Sequence, residues 1–117
     1  MLILICGDRN WTDYRPIQRE LKRFDPVTDI IMHGAARGAD SIAGTSAHMA
    51  GFITVKAYPA NWGKYGRAAG PIRNQLMLDQ NPDLVLAFHP DIANSKGTGH
   101  MVRIAKAKGV KVEVFSE

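Results

Sequence analysis

Five short runs of aliphatic and β-branched residues recur along the chain with a helix-length stretch between each and the next: LILIC at 2–6, DIIMH at 29–33, ITVKAY at 53–58, DLVLAF at 83–88 and KVEVF at 111–115. Each has strand length. Helix-type spacing fills the intervals at 14–24, with Ile17, Leu21 and Phe24 on one face, at 41–50, at 69–79, and at 98–108, with Met101, Ile104 and Ala105 together. Nearly continuous apolar runs that alternate with helices require a parallel sheet covered on both faces and wound by right-handed crossovers. The expected fold is therefore α/β, a Rossmann-like three-layer sandwich with a five-stranded parallel sheet, and residues 1–117 are expected to form a single domain. No internal repeat or Pro/Gly/Ser linker divides the chain, and Pro26 and Gly109 punctuate helix ends.

Cys6, the only cysteine, lies inside the first apolar run, which excludes a disulfide framework and points to a buried thiol in a reducing compartment, the cytoplasm. MLILIC is too short for a membrane span, has no basic leader and meets Asp8 and Arg9, so it reads as a strand and not as a signal peptide. A formal charge of +4 points to an anionic partner, and the placement of the cations has to say which kind.

Loops that follow strands open at the carboxyl edge of a parallel sheet, where ligands bind in open α/β folds. Here they are GDRNWTD (7–13), GAARGAD (34–40), PANWGKYGRAAGPIRN (59–74) and HPDIANSKGTGH (89–100), whereas the loops after helices are only DPVT, GF, QNP and G. Arg9, Arg37, Lys64, Arg67, Arg73 and Lys96 belong to the first edge, opposed chiefly by Asp8, Asp13, Asp40 and Asp91. Such an edge, with the positive ends of the helices, attracts phosphate.

Ser95-Lys96-Gly97-Thr98-Gly99 precedes the last helix: its glycines let backbone N–H groups approach an anion, and the Thr98 hydroxyl adds a bond, unless the segment is an ordinary helix cap. It lacks the Walker A spacing, and no GxGxxG occurs. Gly70 and Pro71 are expected to turn the chain into a helix with Arg73 and Asn74 in its first turn, an unfavourable end for a cation unless a ligand phosphate or carboxylate offsets it. Trp62 and Tyr65 suit stacking on a base, or covering an interface or the sheet edge; Trp11 suits packing. His33, His48, His89 and His100 lack metal-ligand spacing, so no metal is expected, although His33 and His89 both end strands and could meet over the cleft.

Together GDR at 7–9, HGAARGAD at 33–40, PANWGKYGRAAGPIRNQLML at 59–78 and KGTG at 96–99 resemble the small SLOG-type proteins of bacteria and phages, in the YspA-like subgroup. That superfamily includes the "lonely guy" phosphoribohydrolases and the DNA-processing protein DprA. The resemblance implies a Rossmann-like fold, a nucleotide or nucleotide-derived ligand, in some members N-glycoside cleavage, and a homo-oligomer. The phosphoribohydrolases carry an arginine at a helix start and then PGGxGTxxE. Arg73 matches that arginine and Gly97-Thr98 the GT pair, but the place of the glutamate falls on Met101, and Asn94-Ser95-Lys96 replaces Pro-Gly-Gly.

If hydrolysis occurs, its oxocarbenium-like transition state needs a carboxylate, for which Asp40 and Asp8 are available. Asp40 also suits a helix cap, or a bidentate hold on Arg37 or Arg9. The expected site thus has Asp40 and Arg73 as catalytic candidates and Gly7, Arg9, Gly34, Arg37, Gly38, Trp62, Gly70, Asn74, Gly97 and Thr98 as ligand-binding candidates, without cofactor. The leading expectation is nucleotide binding with phosphate on Gly97, Thr98 and Arg73. The alternatives are a non-catalytic sensor of an NAD-derived or cyclic nucleotide, and a DprA-like single-strand nucleic-acid binder resting on net charge.

Overall fold

The computed structural model describes residues 1–117. Its strands are β1 (Leu2–Gly7), β2 (Ile30–His33), β3 (Val55–Ala57), β4 (Leu84–Phe88) and β5 (Lys111–Phe115). Its helices are α1 (Tyr14–Leu21), α2 (Ala39–Met49), α3 (Trp62–Tyr65), α4 (Ala69–Asp79) and α5 (Gly97–Ala107), with 3₁₀ turns at Gly66–Ala68 and Ile92–Asn94. The strands pair in the order β3-β2-β1-β4-β5, all parallel, with Leu4 between Met32 and Val85. This is the expected Rossmann-like α/β sandwich.

Alternation along each strand divides the core between the two faces of the sheet. Ile3, Ile5, Ile31, Leu84, Leu86 and Phe88 pack with Ile17 and Leu21 of α1 and Ala39, Ala43 and Ala47 of α2. Leu4, Cys6, Met32, Val85 and Ala87 pack with Met77 and Leu78 of α4 and Met101, Val102 and Ala105 of α5. Both faces are buried, so the strands read as unbroken apolar runs rather than as an apolar-polar alternation.

Several boundaries differ from the sequence expectation, and α1 stops at Leu21 instead of reaching 24. The third strand shrinks to Val55–Ala57 because it is an edge strand paired only with β2, and Ile53 points into solvent at 71% exposure. α2 starts at Ala39 instead of 41, behind Gly38 at φ +76°. α4 spans Ala69–Asp79, the expected range, but Gly70 and Pro71 lie not before it but inside its first turn, where a missing N–H costs nothing. Arg73 and Asn74 therefore lie in the second turn, so the first-turn dipole mismatch expected for Arg73 does not arise.

Chain order reverses at β1, with β2 and β3 to one side and β4 and β5 to the other, which opens a crevice beyond the carboxyl ends of β1 and β4. Gly7 and Gly38 let the loops meet there. A Cβ on Gly7 would fall 2.3 Å from the Phe88 carbonyl oxygen and 2.6 Å from the Ala39 Cβ, and one on Gly38 would fall 2.3 Å from the Asp8 carbonyl oxygen. That Asp8 carbonyl accepts the Ala39 N–H at 3.1 Å, so the loop after β1 satisfies the first turn of α2. Gly7→Ala should cost roughly 3 kcal/mol in urea unfolding because backbone on both sides must shift, whereas Gly51→Ala, in open space at φ +86°, should cost only about 1 kcal/mol.

Candidate functional site

The loop Gly34-Ala35-Ala36 between β2 and α2 is held from two helices. The Oδ2 of Asp40, in the first turn of α2, accepts the Gly34 N–H at 3.1 Å and the Ala36 N–H at 3.3 Å. Ala35 between them stands at φ +56°, a left-handed conformation that costs an L-residue about 1–2 kcal/mol, and the paired bonds on its neighbours hold it there. The Gly34 carbonyl accepts Nη1 of Arg73 from α4. A Cβ on Gly34 would fall 2.9 Å from Asp40 Oδ2 and inside the guanidinium of Arg73, so only glycine lets both charges close on this backbone.

Asp40 is thus neither the N-cap of α2, a position taken by Gly38, nor a bidentate partner of Arg9 or Arg37. Its second oxygen, Oδ1, has no partner in the chain and is not sealed from solvent, so it opens into the crevice. Burial pushes the carboxyl up to about 6, against the pull of the Ala36 and Gly34 N–H groups and the nearby Arg73 and Arg9. Burial also holds the half-buried Arg73 guanidinium below its ordinary value, partly offset by Asp40.

Asn74 ties α4 to α5. Its Oδ1 accepts Arg73 Nε–H at 3.0 Å, and its Nδ2 reaches the Gly97 carbonyl at 3.2 Å and His100 Nδ1 at 3.1 Å. The Gly99 N–H is taken by Ser95 Oγ at 3.1 Å, whereas the N–H groups of Lys96, Gly97 and Thr98 find no acceptor in the chain. The amino end of α5 is therefore aligned beside Arg73 with free donors.

Around this hub lies a cleft of about 320 Å³ bounded by Gly7-Asp8-Arg9-Asn10, Asp40, Arg73, His89, Asn94 and Ser95 to Thr98, with Met101 in its floor. Cavities of about 360 and 520 Å³ adjoin it on the Trp62 side, and Arg9 and Arg73 border all three. Volumes of this order suit a ligand the size of a nucleotide. The Arg9 guanidinium lies 5.3 Å from the centroid of the half-exposed Trp62 indole, a cation–π contact that positions both.

Five of the six expected cations border these cavities: Arg9, Arg37, Arg67, Arg73 and Lys96. Lys64 instead covers Tyr65 at 5.0 Å. Of the acids, Asp13 caps α1 and pairs with Arg15, and Asp91 accepts from Asn94, leaving Asp8 and Asp40 in the cleft. His33 and His89 do not meet: the His33 ring lies against Gly44 of α2, and only His89 borders the cleft. Trp11 packs edge-on against Phe88 as expected. A Cβ on Gly70 would lie 3.4 Å from the Trp62 ring, an ordinary contact, so packing alone does not require glycine there. Asn10, Asn94 and His100 were not among the expected ligand-binding residues, and His89 was marked only as a histidine at a strand end; His100 carried a signal, one helical turn after Lys96 in the glycine-rich segment.

The fold and crevice define a Rossmann-type protein built around an anion-attracting switch-point cleft. The chain belongs to the YspA, cpYpsA-related SLOG family, whose model matches residues 1–65. It is also 36% identical to the Gene 61 protein of Mycobacterium phage D29, over 98% of this chain and 96% of that one. No solved structure matches. Membership of the SLOG superfamily supports a nucleotide-related function. The matched segment carries Arg9, Arg37, Asp40 and Trp62, while Arg73 and the α5 amino end lie beyond it.

Because the folded-state value of Asp40 is raised from 3.8 to about 6, the folded state holds this proton more tightly, so the contribution of Asp40 to stability is full below pH 3.8 and is lost as pH rises through 6. Asp40→Asn keeps an acceptor for both loop N–H groups and removes the buried charge. It should raise stability at pH 7.5 by on the order of 2 kcal/mol and flatten the profile between pH 4 and 7, as read by urea unfolding across that range.

Proposed function

We propose that the protein binds a nucleotide at the carboxyl edge of β1 and β4. Phosphate sits on the free N–H groups of Gly97 and Thr98 and on Arg73, and the nucleoside part lies toward Gly34, Arg37 and Trp62. The observation that carries this reading is the placement of Arg73, half-buried, fixed through Nε and Nη1, bordering all three cavities and adjoining the amino end of a helix with unsatisfied donors. Donors and dipole at one point suit an anion. Trp62 adds an aromatic face steadied by Arg9. Residues 1–117 act in this reading as one nucleotide-binding domain.

A second reading, N-glycoside hydrolysis, is favoured by Asp40. Met101 is fully buried in the cleft floor where the phosphoribohydrolases would have a glutamate, so a thioether occupies the place of their carboxylate. Asp40 is buried, opens one oxygen to the cleft and titrates near 6, which suits proton transfer near neutrality. In that chemistry the protonated Asp40 gives its proton to the departing base as the C1′–N bond breaks. Water adds at C1′, and the carboxylate recovers the proton that water loses.

A nucleoside monophosphate at 100 times its dissociation constant should stabilise the protein by about 2.7 kcal/mol, and Arg73→Ala should abolish that gain in thermal melts while circular dichroism stays that of the parent. Failure of every nucleotide to shift the melt, or an undiminished shift in Arg73→Ala, contradicts the reading. Chromatography of the bound sample separates the two activities: free base supports hydrolysis and its loss in Asp40→Asn assigns the proton donor, while intact nucleotide favours a sensor. Affinity that grows with oligonucleotide length and collapses with salt would favour a nucleic-acid binder instead.

A further inference from the structure

We propose that the ligand carries two adjacent anionic groups, the second held in its own subsite by Arg67, Lys96 and a neutral His100 that donates from Nε2. This rests on the nucleotide reading above and narrows its ligand from a monophosphate to a diphosphate, either a nucleoside diphosphate or a pyrophosphate-bridged compound.

The first argument is the segregation of charge. The cleft at the β1 and β4 termini sets the acceptors Asp8 and Asp40 among its donors, a mixed lining that suits sugar hydroxyls and a base. The adjoining cavity of about 520 Å³ contains Arg9, Arg67, Arg73, Lys96 and His100 and no carboxylate at all. Four cations facing one cavity without a counter-charge repel one another, and an anionic ligand relieves that repulsion.

The second argument fixes His100. Arg73 Nε–H can only donate and the Gly97 carbonyl can only accept, so Asn74 must turn Oδ1 to the first and Nδ2 to the second. The remaining Nδ2 hydrogen then points at His100 Nδ1, 3.1 Å away, which must accept it. His100 is therefore the neutral tautomer with its proton on Nε2, and Nε2 has no partner in the chain. Burial and the neighbouring Arg103 also keep the ring below its ordinary titration value, in agreement with a neutral imidazole. The amide of Asn74 is fully engaged within the protein, so Asn74 acts as a positioning residue that transmits the setting of Arg73 to His100.

The third argument is adjacency. Arg9, Arg73, Asn74, Lys96 and Gly97 border both spaces, so an anion at the Gly97 and Thr98 N–H groups and one beside His100 are neighbours, as the two phosphates of a diphosphate are. The new subsite presents Arg, Lys and imidazole N–H groups, all donors, and phosphate oxygens are the acceptors that match them.

Titration calorimetry with AMP, ADP and ADP-ribose against the parent, Arg67→Ala, His100→Phe and Arg73→Ala tests this. The parent should bind ADP at least tenfold more tightly than AMP; Arg67→Ala should erase most of that preference while leaving AMP affinity within about twofold, and His100→Phe should erase it too. ADP-ribose bound as well as ADP would mark a bridging diphosphate, and weaker binding a terminal one. Equal affinity of the parent for AMP and ADP, or a preference that survives both substitutions, overturns the second subsite. Undiminished AMP binding by Arg73→Ala, or no binding by the parent, instead overturns the nucleotide reading beneath it. Without any ligand, long-range ¹H–¹⁵N NMR of His100 should place the proton on Nε2, and a proton on Nδ1 contradicts the proposal.

Discussion

One glycine backbone carries the geometry of the cleft. Gly34 gives its N–H to Asp40 of α2 and its carbonyl to Arg73 of α4, and those helices lie on opposite faces of the sheet. The end of β2 therefore becomes a rigid bridge between the two outer layers at the edge where the cleft opens. Ala35 is kept left-handed in this bridge because the carboxylate grips the residues on both sides of it. From Arg73 the arrangement extends through Asn74 to Gly97 and His100, so the amino end of α5 is set in turn. A ligand that meets Arg73 meets a group whose position is already fixed, and pre-organisation of this kind lowers the entropy lost on binding.

The bridge works at an electrostatic cost. A carboxylate in a nearly closed position would rather be neutral, and two arginines nearby and two N–H bonds only partly offset its burial. Replacing such a group by an amide is expected to stabilise the fold, so a charge there fits function better than stability. The cations around it lack enough acids to neutralise them, which leaves the crevice positive. Cys6, buried against the same floor, has its thiol pushed up by burial and by Asp40, and it serves as packing rather than as a nucleophile.

The layers were legible in the sequence because period and length are local properties. LILIC and DLVLAF could only be buried strands, and the uneven loops pointed to the carboxyl edge. Arg73, Asn74, Gly97 and Thr98 were legible as a group for the same reason. The second turn occupied by Arg73 was not, because GP reads as a turn outside a helix when it is in fact the first turn of α4. The role of Asp40 was not legible either: a cap and a loop anchor share one spacing, and only the fold brings the Gly34 and Ala36 N–H groups to Oδ2. Gly7 and Gly38 looked like ligand positions, yet close packing against Phe88 and Asp8 already demands their lack of a side chain. His100 could be read from sequence only as a histidine without metal-ligand spacing, because its role depends on the orientation of an amide in another helix.

The central claim is that a nucleotide phosphate is held where Arg73 meets the amino end of α5, and backbone-amide NMR during a titration with AMP tests it most directly. The largest shifts should fall on Lys96, Gly97 and Thr98 and on the Arg73 Nε–H, with smaller ones on Gly34 and Arg9. Shifts concentrated instead in the groove between α1 and α2, around Tyr14, Ile42 and Met49, or no saturable shifts at all, would contradict it.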